Sequence, residues 1–509
     1  MDEVNSSKQI RIGALVSYVN LGLEIIIGLL YTPWMISQIG KSDYGIYSLA
    51  LSFISIFAMD FGLGASVIKF ISQYRVKNDQ KAINGFLGLT FKLYFIIDII
   101  LLVILLTSFI FIANIFTELT IIEIQKLKVI FCIVGLFIII NFPFTPLNGI
   151  LTSYERFSFL KIFGLFTKIV QVLILIIAIS LGYGIYGMVI VIATIGILNI
   201  IVKLSYIKKN TNIKIDFAYK DHTLLKKLFS FSIIIAIVVA FEQLTLNICP
   251  TILGRVSGGT TEITYFSVGR MLYTYVLTFA GALNGLFLPT VTRMVSNNDD
   301  MKSVNDLMIK VGRIQLVIIG LLVVGIVSMG KEFMFLWMGA DYFSSYYVAI
   351  FLCVPYIIIS TQNIAFATIM AKDKMYVEVV AGGATAIICL ILGNILAPIY
   401  GAVGVSIAFF IAVIIGYIIF ANILFKKSIH IDVFRFFKEC HLKMILPIVI
   451  TAIGGLLIQS FFPVSNLIYF LFKVIVFSLI YFILMWHISL NSFEKGIVIG
   501  VLRKLSVNF

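Results

Sequence analysis

Long apolar segments recur along the whole chain, and they limit its fold more than any other feature. Segments of about 20 or more mostly apolar residues follow one another between polar breaks, and each can cross a hydrocarbon core about 30 Å thick. Of the 509 residues, 61% are apolar and 12% are charged, about half the charged fraction of an average soluble protein. A β-barrel would instead show alternating segments of about 10 residues. The sequence therefore predicts an all-α, polytopic membrane protein.

The breaks between the apolar segments predict about fourteen membrane spans. The first follows a short polar head with Lys8 and Arg11 and has no small-residue cleavage site, so we expect a retained helix. The predicted spans are 10–36, 44–74, 82–112, 124–150, 157–181, 184–207, 228–254, 262–292, 306–330, 344–371, 375–398, 401–425, 443–461 and 465–488.

Lys and Arg placement predicts the orientation. With the N-terminus inside, about 29 of the 38 basic residues fall on the cytoplasmic side, as the positive-inside rule expects. Both termini are then cytoplasmic. The net charge of +14 is expected to contact anionic membrane lipids, not nucleic acid.

Short sequence landmarks indicate an internal duplication. "KNDQKAIN" at 77–84 matches "NNDDMKSVN" at 297–305, and "GYGIYG" at 182 matches "LAPIYG" at 396. A copy with six spans keeps its orientation, and such parallel repeats hold substrate near mid-depth between them. The predicted parts are an N-lobe at 1–207 with spans 1–6, a cytoplasmic loop at 208–227, a C-lobe at 228–425 with spans 7–12, and spans 13 and 14 with an amphipathic tail at 426–509.

Four motifs resemble a known superfamily. They are "IGKSDYGIYSLALSF" at 39–53, "DFGLGASVIKFISQY" at 60–74, "GALNGLFLPTVTRMVS" at 281–296 and "PIYGAVGVSIA" at 398–408. On these, the chain resembles the multidrug/oligosaccharidyl-lipid/polysaccharide exporters, and in particular the bacterial polysaccharide repeat-unit flippases. The resemblance covers roughly residues 10–425, and spans 13 and 14 fit the fourteen-helix flippase branch better than the twelve-helix drug exporters. It implies a V-shaped pair of six-helix lobes that move an undecaprenyl-pyrophosphate-linked oligosaccharide across the cytoplasmic membrane by alternating access.

Charged residues inside the predicted spans mark candidate functional positions. A charge at mid-bilayer costs about 2.5–3.5 kcal/mol on insertion scales, so such residues usually face water or a partner. The candidates are Glu24, Asp60, Lys92, Asp98, Lys168, Glu242, Arg270 and Lys473. At helical spacing they join polar or small stripes, which predict a polar cavity: Ser17, Asn20, Glu24, Gly28 and Tyr31 in span 1; Lys161, Gly164, Lys168 and Gln171 in span 5; Ser267, Arg270, Thr274, Thr278, Gly281 and Gly285 in span 8.

Roles follow from charge and hydrogen-bonding capacity. Arg270 and Lys168 are predicted to hold the pyrophosphate; the resemblance supports an arginine in this role. Asn20, Gln243, Asn247, Asn284, Gln362 and Asn363 could donate hydrogen bonds to sugar hydroxyls. Asp60, Glu24 and Glu242 are the candidates for coupling to a proton or sodium gradient. No catalytic residue, metal ligand or cofactor is predicted, and the absence of a Walker motif excludes ATP as the direct driver.

Structural roles compete with these functional ones. Asp60 could be an ion-pair partner or a cap where Gly62 and Gly64 interrupt the helix. Lys92 and Lys473 are expected to reach the membrane surface by snorkelling, and Asp98 could pair with Lys92. The tail after span 14 is expected to lie on the inner leaflet as a surface anchor.

Two other functions, a membrane enzyme and a drug exporter, would require different features of the sequence. A membrane glycosyltransferase or polymerase would need a larger outer domain to hold its catalytic groups. The longest predicted outer loops, near 113–123 and 331–343, hold only about a dozen residues. A drug exporter of the same superfamily would have a cavity lined by carboxylates and aromatics, without a central arginine. The expected partners are a polyprenyl-linked oligosaccharide, anionic lipids and other polysaccharide assembly proteins, in the bacterial inner membrane.

Overall fold

The computed structural model is helical throughout the residues it describes, which are 22–59, 62–284, 291, 293–294, 301–462 and 466–507. In chain order the helices are α1 Gly22–Ile39, α2 Lys41–Phe57, α3 Leu63–Val76, α4 Gln80–Ile115, α5 Ile121–Asn141, α6 Pro146–Ser153, α7 Phe157–Ser180, α8 Gly184–Asn210, α9 His222–Leu253, α10 Gly259–Asn284, α11 Met301–Met338, α12 Phe343–Thr361, α13 Asn363–Ala371, α14 Tyr376–Val413, α15 Ala421–Ile429, α16 Val433–Phe436, α17 Lys443–Phe461, α18 Leu467–Leu484 and α19 Ser492–Val507.

Within these ranges, 11 helices are long and apolar enough to cross a membrane. The polytopic all-α prediction is confirmed, and the count of fourteen stays a prediction. The 54 helical residues from Tyr376 to Ile429 bend at Gly401, where φ is 56°. A 30 Å core takes about 20 helical residues, so this stretch is long enough for two passes.

The predicted second span is interrupted. α2 ends at Phe57, and α3 begins after Gly62, which has a left-handed φ of 69°. Side chains other than glycine rarely adopt that conformation, so Gly62 explains the break. The sequence predicted a bend at this point, and Asp60 itself lies outside the described residues.

Helix starts recur at a nearly constant distance along the chain. Gly40 and Gly258 both have positive φ just before a helix, and Glu155 and Asp373 both have positive φ just after one. These pairs lie about 220 residues apart, and so do the helix starts Lys41 and Gly259, Gln80 and Met301, and Phe157 and Tyr376. The recurrence supports the internal duplication.

Contacts divide the chain into two compact units, an N-terminal unit (Met1–Thr264) and a C-terminal unit (Tyr265–Phe509). α9 packs against α2 and α3 and thus belongs to the N-terminal unit. The division by contacts therefore falls later than the predicted loop at 208–227. The lobes defined by the duplication remain a prediction, because they rest on sequence correspondence.

The last two spans pack on α11 in the C-terminal unit. Lys473 on α18 donates to Glu332 on α11 at 2.9 Å, and both side chains are almost buried. The Tyr481 hydroxyl donates to the carbonyl oxygen of Val317 at 3.0 Å. The snorkelling expected of Lys473 is therefore wrong, because its ammonium is neutralised inside the protein.

The start of the C-terminal tail is also held inside this unit. Glu494 on α19 forms an ion pair with Arg313 on α11, and both side chains are only 5% exposed. Arg313 also donates to the carbonyl oxygens of Glu439 and Ser489 at 2.9 and 2.6 Å. The expectation that the tail only lies on the membrane surface needs correction at this end, since its first turn docks on α11.

Candidate functional site

One predicted cation and one predicted carboxylate meet in the N-terminal unit. The Lys168 ammonium on α7 lies 3.5 Å from a Glu24 carboxylate oxygen on α1, and the side chains are 49% and 56% exposed. α7 buries few of its own residues, so the pair lies on a surface of α7 that no described residue covers. The pair thus combines an anion-binding group with a titratable one on an accessible face. Asn20, on the same predicted stripe, lies outside the described residues.

The predicted stripe on α10 forms its accessible side. Thr274 and Gly281 are exposed, whereas Val276 and Ala280 on the other faces are buried. Arg270 is half-buried, and its carbonyl oxygen accepts a hydrogen bond from Thr274 at 3.0 Å. The arrangement matches the polar stripe predicted by helical spacing. Asn284 is the last residue of α10, and its side chain lies outside the described part.

α9 carries three of the predicted residues. Glu242 is exposed and has no hydrogen bond or ion pair with any described residue. Asn247 is 4% exposed and donates to the side-chain oxygen of Gln243 at 2.8 Å. Asn247 thus serves the packing of α9, while Glu242 and the half-buried Gln243 are the accessible members.

Two predicted sugar-binding residues lie at the break between α12 and α13 in the C-terminal unit, one buried and one half-buried. Gln362 is 0% exposed and donates to Asn422 at 3.1 Å. Asn363 donates to the carbonyl oxygen of Ser360 at 2.5 Å. Both amides lie at the break between α12 and α13, where Asn363 satisfies a backbone carbonyl oxygen of the last turn of α12 and Gln362 bonds the side chain of Asn422 on α15. In this conformation Gln362 cannot touch a sugar, because no part of it is accessible.

Lys92 and Asp98 do not pair. The Lys92 ammonium donates to the carbonyl oxygen of Tyr219 at 3.2 Å. Asp98 is half-buried, and its Oδ1 has no hydrogen-bond partner among the described residues. The spacing of six residues already argued against a pair, since helical neighbours are three or four residues apart.

Sequence reasoning missed a polar clamp in the N-terminal unit, formed by Ser42, Asp43, Glu123, Lys126 and Thr260. Glu123 accepts hydrogen bonds from Ser42 at 2.9 Å and from Thr260 at 2.7 Å. Lys126 forms an ion pair with Asp43 at 2.5 Å. The clamp joins α2, α5 and the first turn of α10 at the end that the predicted orientation places outside.

A signal for this clamp was present in the motif "GKSDYG" at 40–45. Ser42 and Asp43 supply two of its groups, and a side chain on Gly45 would collide with the backbone of Thr260. The partners stand 81 and 218 residues away from Ser42, so only the fold reveals them.

No metal centre is formed by the described residues, since no group of three or more His, Cys, Asp or Glu side chains could hold an ion there. Of the charged residues predicted for the site, Lys168, Arg270, Glu24 and Glu242 are at least partly accessible in the part of the chain that the structure describes. Such a set can bind an anionic, hydroxyl-rich molecule and exchange a small cation.

Solved structures with the same fold are membrane transporters. "Lipid II flippase MurJ, inward closed conformation" has a TM-score of 0.65 and 18% identity, covering 94% of this chain and 98% of that one. An inward-facing multidrug resistance MATE transporter of the MOP superfamily has a TM-score of 0.59 and 14% identity, covering 83% and 99%. The eukaryotic MATE transporter AtDTX14 has a TM-score of 0.61 and 14% identity, covering 84% and 96%.

A search of curated proteins gave no match. A family model described as "Polysaccharide biosynthesis protein" matches residues 12–296, more than half of the chain. The chain belongs to the polysaccharide biosynthesis protein family.

Proposed function

We propose that this protein is a flippase that moves undecaprenyl-pyrophosphate-linked oligosaccharide units across the cytoplasmic membrane by alternating access. The observation that carries the proposal is the accessible Lys168 on α7, within a membrane-spanning helix. An accessible cation at membrane depth is costly unless it faces water or an anionic group. Membership of a polysaccharide biosynthesis family makes a lipid-linked sugar the fitting cargo.

Lys168 and Arg270 would hold the pyrophosphate, and each suits the task differently. The guanidinium of Arg270 can donate two parallel hydrogen bonds to a phosphate, whereas the Lys168 ammonium acts as a point charge. Gln243, Asn20 and Asn284 would contact sugar hydroxyls. The buried Gln362 and Asn247 are left out of this set.

Glu24 and Glu242 are the proposed coupling groups, together with Asp60. Glu24 lies beside Lys168, so phosphate binding there competes with the carboxylate for the same ammonium. A competing anion and a titratable group on one site allow proton or sodium movement to be linked to substrate movement.

The polar clamp fits the alternating-access cycle. In this conformation Glu123 accepts hydrogen bonds from both Ser42 and Thr260 at the predicted outer end. By the predicted lobes, Ser42 and Glu123 belong to the N-lobe and Thr260 to the C-lobe, so we propose that release of substrate to the outside breaks these bonds.

A double substitution tests the proposal. Lys168→Gln with Arg270→Gln removes both cations, and we expect loss of surface-polysaccharide export with accumulation of lipid-linked oligosaccharide on the inner leaflet. The readout is the amount of lipid-linked intermediate in a strain that lacks the native gene and expresses the variant.

The matched control is Lys77→Gln with Arg255→Gln, which removes one lysine and one arginine from exposed loops. Export that persists in the double variant at normal protein level would overturn the proposal. Reduced drug resistance with intact polysaccharide export would instead favour the drug exporter.

A further inference from the structure

The segment after α8 is an ordered strap on α4, here defined as residues 211–221. The amide of Asp216 donates to the carbonyl oxygen of Asn84 at 3.1 Å, and the amide of Lys214 donates to the Asn84 side chain at 3.0 Å. At the other end of the strap, the Lys92 ammonium donates to the carbonyl oxygen of Tyr219. The predicted loop at 208–227 is therefore fixed along the first half of α4.

Glycines on α4 make this close approach possible. A side chain on Gly88 would collide with the carbonyl oxygen of Asp216, and one on Gly85 would lie 2.7 Å from the Tyr219 ring. The strap ends at Asp221, which caps α9. Hydrogen bonds from the Thr223 hydroxyl and the Leu224 amide hold the pKa of that carboxyl below its ordinary value.

The C-terminal unit repeats the arrangement. Arg313 lies on α11 about where Lys92 lies on α4, and it donates to the carbonyl oxygen of Glu439. Lys92 and Arg313, and likewise Tyr219 and Glu439, are about 220 residues apart, the offset at which helix starts recur. In both copies, therefore, a cation on the third span donates to a carbonyl oxygen that follows the sixth span.

The strap exposes apolar and basic side chains side by side. Phe217 is 50% exposed and Ile215 is also exposed. Lys214 precedes Ile215 and Lys220 follows Phe217, and both lysines are exposed. Asp216 is exposed too and accepts a bond from the amide of Ala218 at 2.9 Å. Exposed apolar side chains among lysines are typical of segments that sit at a lipid headgroup layer.

The position of the strap along α4 fits that depth. α4 has 36 residues and is about 54 Å long at 1.5 Å per residue, well beyond a 30 Å core. Exposed Phe95 and Ile96 follow Lys92 within one turn and begin the apolar belt of this helix. The strap therefore lies just before the part of α4 that faces hydrocarbon, and its exposed face continues that surface.

We propose that the strap is a preformed contact for anionic lipid headgroups, with Phe217 and Ile215 inserted at the interface and Lys214 and Lys220 bound to lipid phosphates. The lipid class follows from the basic residues of this region, since the inner-leaflet surface is negative. Asp216 and Asp221 offset the charge of Lys214 and Lys220 within the strap, and exposed Lys208 and Lys209 at the end of α8, directly before it, supply the excess positive charge. Its backbone is already fixed on α4, so binding orders little further. This inference stands apart from the transported substrate.

Fluorescence quenching tests the contact. Phe217→Trp is made in the full chain and reconstituted in nanodiscs of phosphatidylcholine, with either brominated phosphatidylglycerol or brominated phosphatidylcholine as a minor component. The spectrum of the unsubstituted protein, with its 3 native tryptophans, is subtracted. We expect several-fold stronger quenching of the new tryptophan by the brominated anionic lipid.

Adding Lys214→Gln and Lys220→Gln should abolish the preference for the anionic lipid and leave residual quenching by both. A tryptophan that aqueous iodide quenches and brominated lipids do not would overturn the proposal. So would one insensitive to both reagents, because a protein surface would then cover the strap.

Discussion

Four intramembrane cations of the described residues divide into two groups by exposure. The ammonium groups of Lys92 and Lys473 and the guanidinium of Arg313 each bind an oxygen of a distant segment. Lys168 stays half-exposed beside Glu24. Composition and helical spacing listed Lys92, Lys473 and Lys168 alike and did not list Arg313. The oxygen partners of the three lysines stand 127, 141 and 144 residues away, so the sequence does not reveal them. Exposure separates structural cations from candidate binding groups.

The Arg313–Glu494 pair gives a prediction at this scale. Arg313→Met leaves the Glu494 carboxylate buried without its cation, and breaking such a pair typically costs about 3–5 kcal/mol. We expect a clear fall in the thermal unfolding midpoint of the detergent-purified protein, followed by intrinsic fluorescence. Restoring neutrality with Glu494→Leu in the same chain should recover much of the loss.

Arg435→Met is the matched control. Its partners are Asp306 at 2.7 Å and Glu439 at 2.9 Å, and all three side chains are about one third exposed or more. Exposed pairs contribute about 0.2–1 kcal/mol, so this midpoint should hardly move. Equal midpoints for the Arg313 and Arg435 variants would contradict the structural importance of the buried pair.

At the scale of helices, apolar length predicted most of the architecture. Each predicted span has a helical counterpart among the described residues, because a bilayer core demands long apolar helices. The breaks were harder to predict. Gly62 and Gly64 marked the break in the second span, but nothing comparable marks the break at Gln362, whose buried amide bonds Asn422. Periodicity contains no information on such tertiary bonds.

Gly88→Ala tests whether the strap is held against α4 at this glycine. The new methyl group would collide with the carbonyl oxygen of Asp216, so the strap must move off α4. We expect faster trypsin cleavage at Lys214 and Lys220, measured on the purified protein by mass spectrometry. Gly164→Ala on α7 is the control, because its new methyl group would meet open space. Unchanged cleavage in the Gly88 variant would show that the strap is not held there.

At the scale of the molecule, the duplication was visible in the sequence but the contact units were not. α9 follows the strap and, by sequence, begins the second copy. It nevertheless packs against α2 and α3 in the N-terminal unit. Landmarks such as "GYGIYG" mark a correspondence between two segments of the sequence, whereas packing partners depend on side chains from several helices. The same limit applies to the candidate site, because contacts between distant segments cannot be derived from the sequence. The stripe on α10 was predictable, whereas the Glu24–Lys168 contact and the polar clamp were not.

Alternating access predicts that the polar clamp must open once per cycle. Ser42→Cys with Thr260→Cys places two thiols where the hydroxyl oxygens are 3.2 Å apart, close enough for a disulfide after a small shift. The exposed Cys132 is replaced by serine, since the other 4 native cysteines are buried. Oxidation should stop polysaccharide export and a reductant should restore it, while each single-cysteine variant keeps exporting under the same oxidant. Export that continues while the disulfide is fully formed, as measured by mass spectrometry, would show that this end stays shut during transport.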